Sequence, residues 1–281
     1  DIESMKMNFG LAALLGLLQG VTEFLPVSSS GHLAICQRFL GLDDVNMFFD
    51  VLLHFATLIA IIVFYRYEIL DMLREIGGFF HDLKHPNPDA GEPKPARRLV
   101  LMIIIATLPL FVVLPLNDKI ETLSNNTLFV GIAFLITGVI LYLSDRLPQG
   151  RKSAGSMTVA DSVKIGLAQA VATLPGISRS GSTIAAGMAT GLDRGFAVNF
   201  SFLMSLPAVL GATILETKKA VEAGVDTASL PAYLVGMVIA GVVGYFAIRL
   251  LKMLAEKGKF GKFCYYCFGI GILTIIFTVV L

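Results

Sequence analysis

Apolar residues along this chain fall into long blocks separated by short polar stretches. Six blocks, at about 48–65, 99–116, 128–143, 196–215, 233–251 and 263–281, approach the length of roughly 20 residues that a membrane-crossing helix needs. Two more, 9–40 and 159–192, break the pattern. Each has an apolar helix-like arm, then a Pro/Ser/Gly-rich interruption, then a second arm. The interruptions are Leu25-Pro26-Val27-Ser28-Ser29-Ser30-Gly31 and Leu174-Pro175-Gly176-Ile177-Ser178-Arg179-Ser180-Gly181. Arms this short suit re-entrant helical hairpins, and irregular backbone at membrane depth is tolerated only where protein or a wet cavity surrounds it. The prediction is an all-α polytopic membrane protein with six transmembrane helices and two re-entrant hairpins. The charged stretch 66–98, dense in Pro and Gly near its end, is predicted to be an exposed irregular loop.

The two interrupted stretches also match each other. At a constant offset, Gly16, Leu17, Gln19, Val21, Ser28, Ser30 and Gly31 coincide with Gly166, Leu167, Gln169, Val171, Ser178, Ser180 and Gly181. Residues 1–150 and 151–281 thus each predict a hairpin followed by three spans. Three crossings invert the second half, so an inverted-topology repeat follows, with the hairpins meeting near the midplane.

Composition agrees with this. Hydrophobic residues make up 55% of the chain and charged residues only 15%, with mean hydropathy +0.76, which excludes a soluble globular enzyme. A net charge of +1 without a basic block leaves no footprint for nucleic acid. Three cysteines make no disulfide framework, and Cys264-x-x-Cys267 lacks the second pair a zinc site needs. Nor is a cleavable signal peptide expected. Under this topology one face carries Arg66, Arg74, Lys84, Lys94, Arg97, Arg98, Arg146, Arg151, Lys152, Lys164, Arg249, Lys252, Lys257, Lys259 and Lys262. The other carries only Lys6, Arg38, Lys119, Lys218 and Lys219. The rich face is the cytoplasmic one, which predicts a cell inner-membrane protein with both termini and the mouth of the first hairpin outside. With no Trp, Tyr65, Tyr67, Tyr142, Tyr233, Tyr265 and Tyr266 are assigned as interface anchors.

Chemistry concentrates in the interruptions. Gln19 and Glu23, four apart, share a helix face, and an acid at bilayer depth marks function unless it snorkels to the headgroups. Ser28, Ser29, Ser30 and Gly31 open a helical arm whose free N–H groups suit an anion; close helix packing by small residues is the plainer reading. His32 is able to exchange a proton near neutrality, so a serine nucleophile has two candidate bases, Glu23 and His32. Arg179, flanked by Ser178 and Ser180 with Thr183 one turn on, offers a planar fork to a phosphate or a partner to Glu23. Asp50 and His54 are assigned to hydrogen bonding between helices. Asp193 and Arg194 are assigned as interfacial charges. Gly236, Ala240 and Gly244 form a close-packing stripe, within the chain or at a homodimer seam. A carboxylate, hydroxyls, an imidazole and an arginine at one depth suit metal-assisted phosphoryl transfer on a lipid-borne phosphate.

Residues 19–32, Gln-Gly-Val-Thr-Glu-Phe-Leu-Pro-Val-Ser-Ser-Ser-Gly-His, and 175–183, Pro-Gly-Ile-Ser-Arg-Ser-Gly-Ser-Thr, resemble the two signatures of the undecaprenyl pyrophosphate phosphatases of BacA/UppP type. The resemblance spans nearly the whole chain. It implies removal of the terminal phosphate from undecaprenyl pyrophosphate to regenerate the lipid carrier for cell-wall glycans. It also implies a divalent metal, Mg2+ or Ca2+, a pocket reached from the outer face, and bacitracin resistance on overproduction. By motif position, Glu23 binds metal or activates the nucleophile, Ser29 is the nucleophile, and Arg179 holds the pyrophosphate. His32 transfers a proton or orients, and Ser28, Ser30, Gly31, Ser178, Ser180 and Thr183 line the phosphate site. Gln19 stands where many members have Glu, which shifts the metal-binding load onto Glu23. Broken helices in an inverted repeat equally suit a flippase or transporter for polyprenyl phosphate, so the architecture alone does not choose.

Overall fold

The structure is a computed structural model that describes residues 7–39, 47–84, 94–224 and 227–280. It is all-helical, with no strand among the described residues. In chain order the helices are α1 (Phe9–Phe24), α2 (Ser29–Phe39), α3 (Met47–Phe64), α4 (Arg66–Lys84), α5 (Pro95–Val113), α6 (Asn117–Leu123) and α7 (Thr127–Ser144). After these come α8 (Val159–Val171), α9 (Arg179–Ala189), α10 (Arg194–Ala223), α11 (Leu230–Glu256) and α12 (Phe263–Val280). By length and composition five segments qualify as membrane spans: Pro95–Ile120, Thr127–Ser144, Arg194–Lys219, Thr227–Glu256 and Phe260–Val280. The pair Phe48–Phe64 and Arg66–Asp82, bent by 81°, makes a sixth if counted as one. The six apolar blocks of the sequence are all helices.

α1 and α2 are each shorter than a crossing helix. With 16 and 11 residues, they extend about 24 and 16 Å at roughly 1.5 Å per residue, against a hydrocarbon core of about 30 Å. α8 and α9, with 13 and 11 residues, are shorter still as a pair. Proline ends α1: it pushes Leu25 out of the helical region to φ −63°, ψ 145°.

The packing of these short helices depends on residues without bulk. α1 lies along α11, so that a Cβ on Gly16 would strike the Gly236 carbonyl oxygen and one on Gly20 would sit 2.8 Å from that of Ala240; Gly244 leaves room for the Phe24 ring. The Gly236/Ala240/Gly244 stripe is therefore used inside the chain. α8 lies against α5 in the same way: a Cβ on Gly166 would strike the Ala106 carbonyl oxygen, and Ser162 Oγ donates to the Met102 carbonyl. Thus the first helix of each half packs against a spanning helix of the other half.

The charged stretch after α3 corrects a sequence expectation. Residues 66–84 form the helix α4, and 85–93 lie outside the described residues. Leu70, Leu73, Ile76 and Phe80 recur at helical spacing and are exposed, while Met72 is buried. Glu75 pairs with Lys94 at 2.9 Å and Arg97 at 3.3 Å, and Asp82 pairs with Arg97 at 2.9 Å, tying α4 to the start of α5. The charges that suggested a loop are one face of an amphipathic helix.

The tyrosines divide. Tyr67, Tyr142, Tyr265 and Tyr266 are exposed, as anchors require, but Tyr65 and Tyr233 are fully buried, and the Tyr65 hydroxyl donates to Asn199 Oδ1 at 3.1 Å. Cys264 and Cys267 are buried free thiols, and Cys267 Sγ points at the Pro26 carbonyl. At the ends, Lys219 pairs with Asp118 (3.0 Å), and Thr278 with Thr127 (2.8 Å). These contacts put the ends of α10 and α12 beside α6 and the start of α7, respectively.

The seam makes a paired prediction. Gly16→Val drives a side chain into the α11 backbone and costs about 1–3 kcal/mol, whereas Gly77→Ala, in open space on α4, gains up to about 1 kcal/mol of helix propensity. Thermal midpoints in detergent should fall for the first and hold or rise for the second; equal midpoints would contradict the α1–α11 contact.

Candidate functional site

Two turns built alike meet at the centre. In the first, Ser28 Oγ accepts from the Gly31 N–H (3.3 Å), its carbonyl accepts from the His32 N–H (3.2 Å), and its hydroxyl lies 3.3 Å from that of Ser30. In the second, Ser178 Oγ accepts from the Gly181 N–H (3.0 Å), its carbonyl accepts from the Ser182 N–H (2.9 Å), and its hydroxyl lies 3.3 Å from that of Ser180. Ser28 and Ser178 are thus capping groups at the starts of α2 and α9, satisfying N–H groups that have no partner within the helix. Thr137 of α7 clamps the second turn, donating to the Gly176 carbonyl (3.0 Å) and accepting from the Ser178 N–H (3.1 Å).

The turns touch through backbone. A Cβ on Gly31 would come within 3.0 Å of Gly176 Cα and 2.7 Å of the Phe134 ring, and Ser180 Oγ donates to the Leu25 carbonyl at 3.4 Å. Only glycine permits that approach.

Glu23 sits at the junction, 8% exposed. Its Oε1 accepts from Arg179 Nη2 of the opposite turn. Its Oε2 accepts from Ser29 Oγ at 2.6 Å and from Gln19 Nε2 at 3.1 Å. One carboxylate therefore gathers the guanidinium, the hydroxyl and the amide that the sequence singled out. Arg179 keeps a partly exposed side chain, so the pair lies at the wall of an accessible space rather than in sealed core.

The remaining expected residues are arranged around this junction. Ser30 is exposed beside it. His32 is nearly buried, with both ring nitrogens bonded, to the Ser28 carbonyl and to Tyr266 Oη, each at 2.7 Å. Thr183 stands apart: its hydroxyl, 1% exposed as a residue, bonds to the Arg179 carbonyl (2.8 Å) and Ser201 Oγ (2.6 Å).

Two residues join the site from outside the interruptions. His54 Nε2 is 4.0 Å from Glu23 Oε2, and its Nδ1 is 2.8 Å from the Asp50 carbonyl. Asp50 in turn accepts two bonds from Gln37 Nε2. The four-residue spacing of Asp50 and His54 put both on one face, and that face proves to look at Glu23. Tyr266, assigned as an interface anchor and exposed accordingly, also stacks on His32, with ring centroids 5.6 Å apart. No local pattern announced it.

Residues 12–273 match the family described as Bacitracin resistance protein BacA. The chain belongs to the BacA family. It is 40% identical to an undecaprenyl-diphosphatase of Carboxydothermus hydrogenoformans, across 95% of this chain and 96% of that protein. An undecaprenyl-diphosphatase of Methanobrevibacter smithii is 41% identical over the same shares, and one of Methanosphaera stadtmanae 39% over 96% of this chain and 98% of its own. BacA membership thus covers both halves, including each turn.

The Glu23–Arg179 pair predicts a thermodynamic cycle. Arg179→Met leaves a buried carboxylate without its cation and costs about 3 kcal/mol. Adding Glu23→Gln removes the stranded charge and restores most of that loss. Thermal midpoints of the two singles and the double, measured in one detergent, check it; additive effects would mean the two side chains do not interact.

Proposed function

We propose that the chain is an integral membrane phosphatase that converts undecaprenyl pyrophosphate, or a related polyprenyl pyrophosphate, to the monophosphate, renewing the lipid carrier of cell-wall glycan synthesis. The observation that carries this is the single carboxylate shared between a serine from one turn and an arginine from the other. Membership of the BacA family and relatives named undecaprenyl-diphosphatase point the same way.

The residues divide the work. The Ser29 hydrogen already rests on Glu23 Oε2, so Glu23 is the base at hand. As the Ser29 oxygen bonds to the terminal phosphorus, its proton passes to Glu23. The bond from that phosphorus to the bridging oxygen breaks, and the lipid monophosphate leaves with the electron pair. Water then releases the phosphate from the serine; alternatively, Ser29 aligns a water that attacks directly. Arg179 spends one N–H on Glu23 and has others to offer the phosphoryl oxygens. The helix starts at Ser29 and Arg179 present their positive dipole ends to the same space.

A hard divalent cation, Mg2+ or Ca2+, fits the residues present. Gln19 Oε1 is a buried acceptor with no donor among the described residues, one helical turn from the Glu23 carboxylate. No group of three or more His, Cys, Asp or Glu forms a metal cluster among the described residues. Gln19 and Glu23 would hold the ion with phosphate oxygens completing its shell. Bound there, it supplies charge neutralisation at the phosphoryl group.

The architecture belongs to the same proposal. α1–α2 and α8–α9 act as re-entrant hairpins of two inverted repeats, 1–150 and 151–281. The matched hydrogen bonds of the two turns and the exchanged packing of α1 on α11 and α8 on α5 support this. The lysine and arginine distribution supports a mouth of the first hairpin that faces the outside of the inner membrane.

Purified protein should release phosphate from undecaprenyl pyrophosphate in detergent, and chelation should stop release until Mg2+ or Ca2+ is returned. Ser29→Ala and Arg179→Ala should each lower kcat by at least about 100-fold. Folded variants at near-normal rates would end the assignment, and a phosphoserine trapped during turnover would choose the covalent route.

A further inference from the structure

The histidine beside the nucleophile is held in one tautomer by its own turn and gripped at its other nitrogen from outside its hairpin. His32 Nδ1 is 2.7 Å from the Ser28 carbonyl oxygen. A carbonyl only accepts, so Nδ1 carries the hydrogen. The neutral ring then has its lone pair on Nε2, and the hydroxyl 2.7 Å away, Tyr266 Oη, donates to it. The two rings lie nearly parallel, 9° apart, and Phe134 meets the imidazole edge-on at 5.0 Å. Neither ring nitrogen is bonded to Ser29, whose hydrogen goes to Glu23.

The imidazole holds a strained turn. Ser28 is the only non-glycine residue with positive φ among those described, at 68°, a conformation that crowds a β-carbon against the following carbonyl oxygen. Its counterpart Ser178 has φ −72°, because Gly176 supplies the positive φ in that turn. The Ser28 carbonyl receives both the backbone N–H and the ring N–H of His32. Swinging the imidazole away would remove one of these two bonds, free the residue before Ser29 to relax, and turn the Ser29 hydroxyl off Glu23.

We infer that Tyr266 is a positioning residue for phosphate release. Its hydroxyl anchors the imidazole through Nε2, the ring N–H at Nδ1 in turn braces the Ser28 carbonyl, and that carbonyl fixes the direction of Ser29. His32 therefore acts as a strut in this state, and Glu23 receives the serine proton. The inference rests on the phosphatase reading for its kinetic consequence, but the contact itself does not.

The test uses the full-length protein labelled with 15N-histidine in detergent near neutral pH, the His32 signals being assigned by their loss in His32→Gln. The wild-type spectrum should show His32 protonated at Nδ1 and hydrogen-bonded at Nε2. Tyr266→Phe keeps the stacked ring and deletes the donor. The Nε2 signal should then move toward that of a free lone pair, while kcat falls about tenfold at unchanged KM. Tyr265→Phe, exposed on the same helix, should change neither. Wild-type His32 protonated at Nε2 overturns the inference even if no variant folds. Tyr266→Phe with wild-type kcat, or a loss of kcat without the Nε2 shift, overturns it as well. A wild-type protein that shows the Nε2 contact but releases no phosphate sinks the phosphatase reading and upholds the contact.

Discussion

A charge held away from water must be answered at once, and in this fold one carboxylate is answered both from its own neighbourhood and from 156 positions along the chain. Glu23 takes the Arg179 guanidinium on one oxygen and the Ser29 hydroxyl and Gln19 amide on the other. An unpaired ion in such surroundings is expensive enough that the two turns bringing these groups together are tied energetically. The second half must deliver Arg179 to a point fixed by the first. In the proposed reaction the same pair would serve the chemistry, because an incoming anion would compete with Glu23 for the arginine and leave the carboxylate free to take a proton.

Delivering those groups at such short range requires backbone to approach backbone. Gly16 on α11, Gly166 on α5 and Gly31 against Gly176 are each places where one methyl group would force the helices apart. Polar caps complete the arrangement. Ser28, Ser178 and Thr137 saturate N–H and carbonyl groups that a break in a helix exposes, which is the condition for irregular backbone at this depth. Hydroxyls near the site accordingly divide into those committed to holding the turns, Ser28, Ser178 and Thr137 among them, and Ser29, whose hydroxyl bonds to the ionised group.

The chain's own pattern revealed most of this. Apolar blocks located the long helices, the offset between the two interruptions paired the turns, and the cost of Glu23 and Arg179 in lipid predicted that they would meet. What escaped did so for physical reasons. α4 carries Glu68, Asp71, Arg74, Glu75 and Asp82 within a short run, and that density masked Leu70, Leu73, Ile76 and Phe80 on its other side. Tyr65 and Tyr233 lie near span ends, as interface anchors do, yet pack inward because a neighbour supplies Asn199 or an aromatic face. Tyr266 meets His32 across 234 positions, a contact decided by the docking of α12 and by nothing in its own neighbourhood.

The offset that pairs the turns also pairs Ser29 with Arg179: each directly follows the capping serine of its turn. Two identical halves facing one another would present two alcohols or two guanidiniums, and neither duplicate set contains an attacking group opposite an anion-holding one. On the proposed reading, the site is a heterodimer folded into a single chain, its working asymmetry written at a pair of equivalent positions.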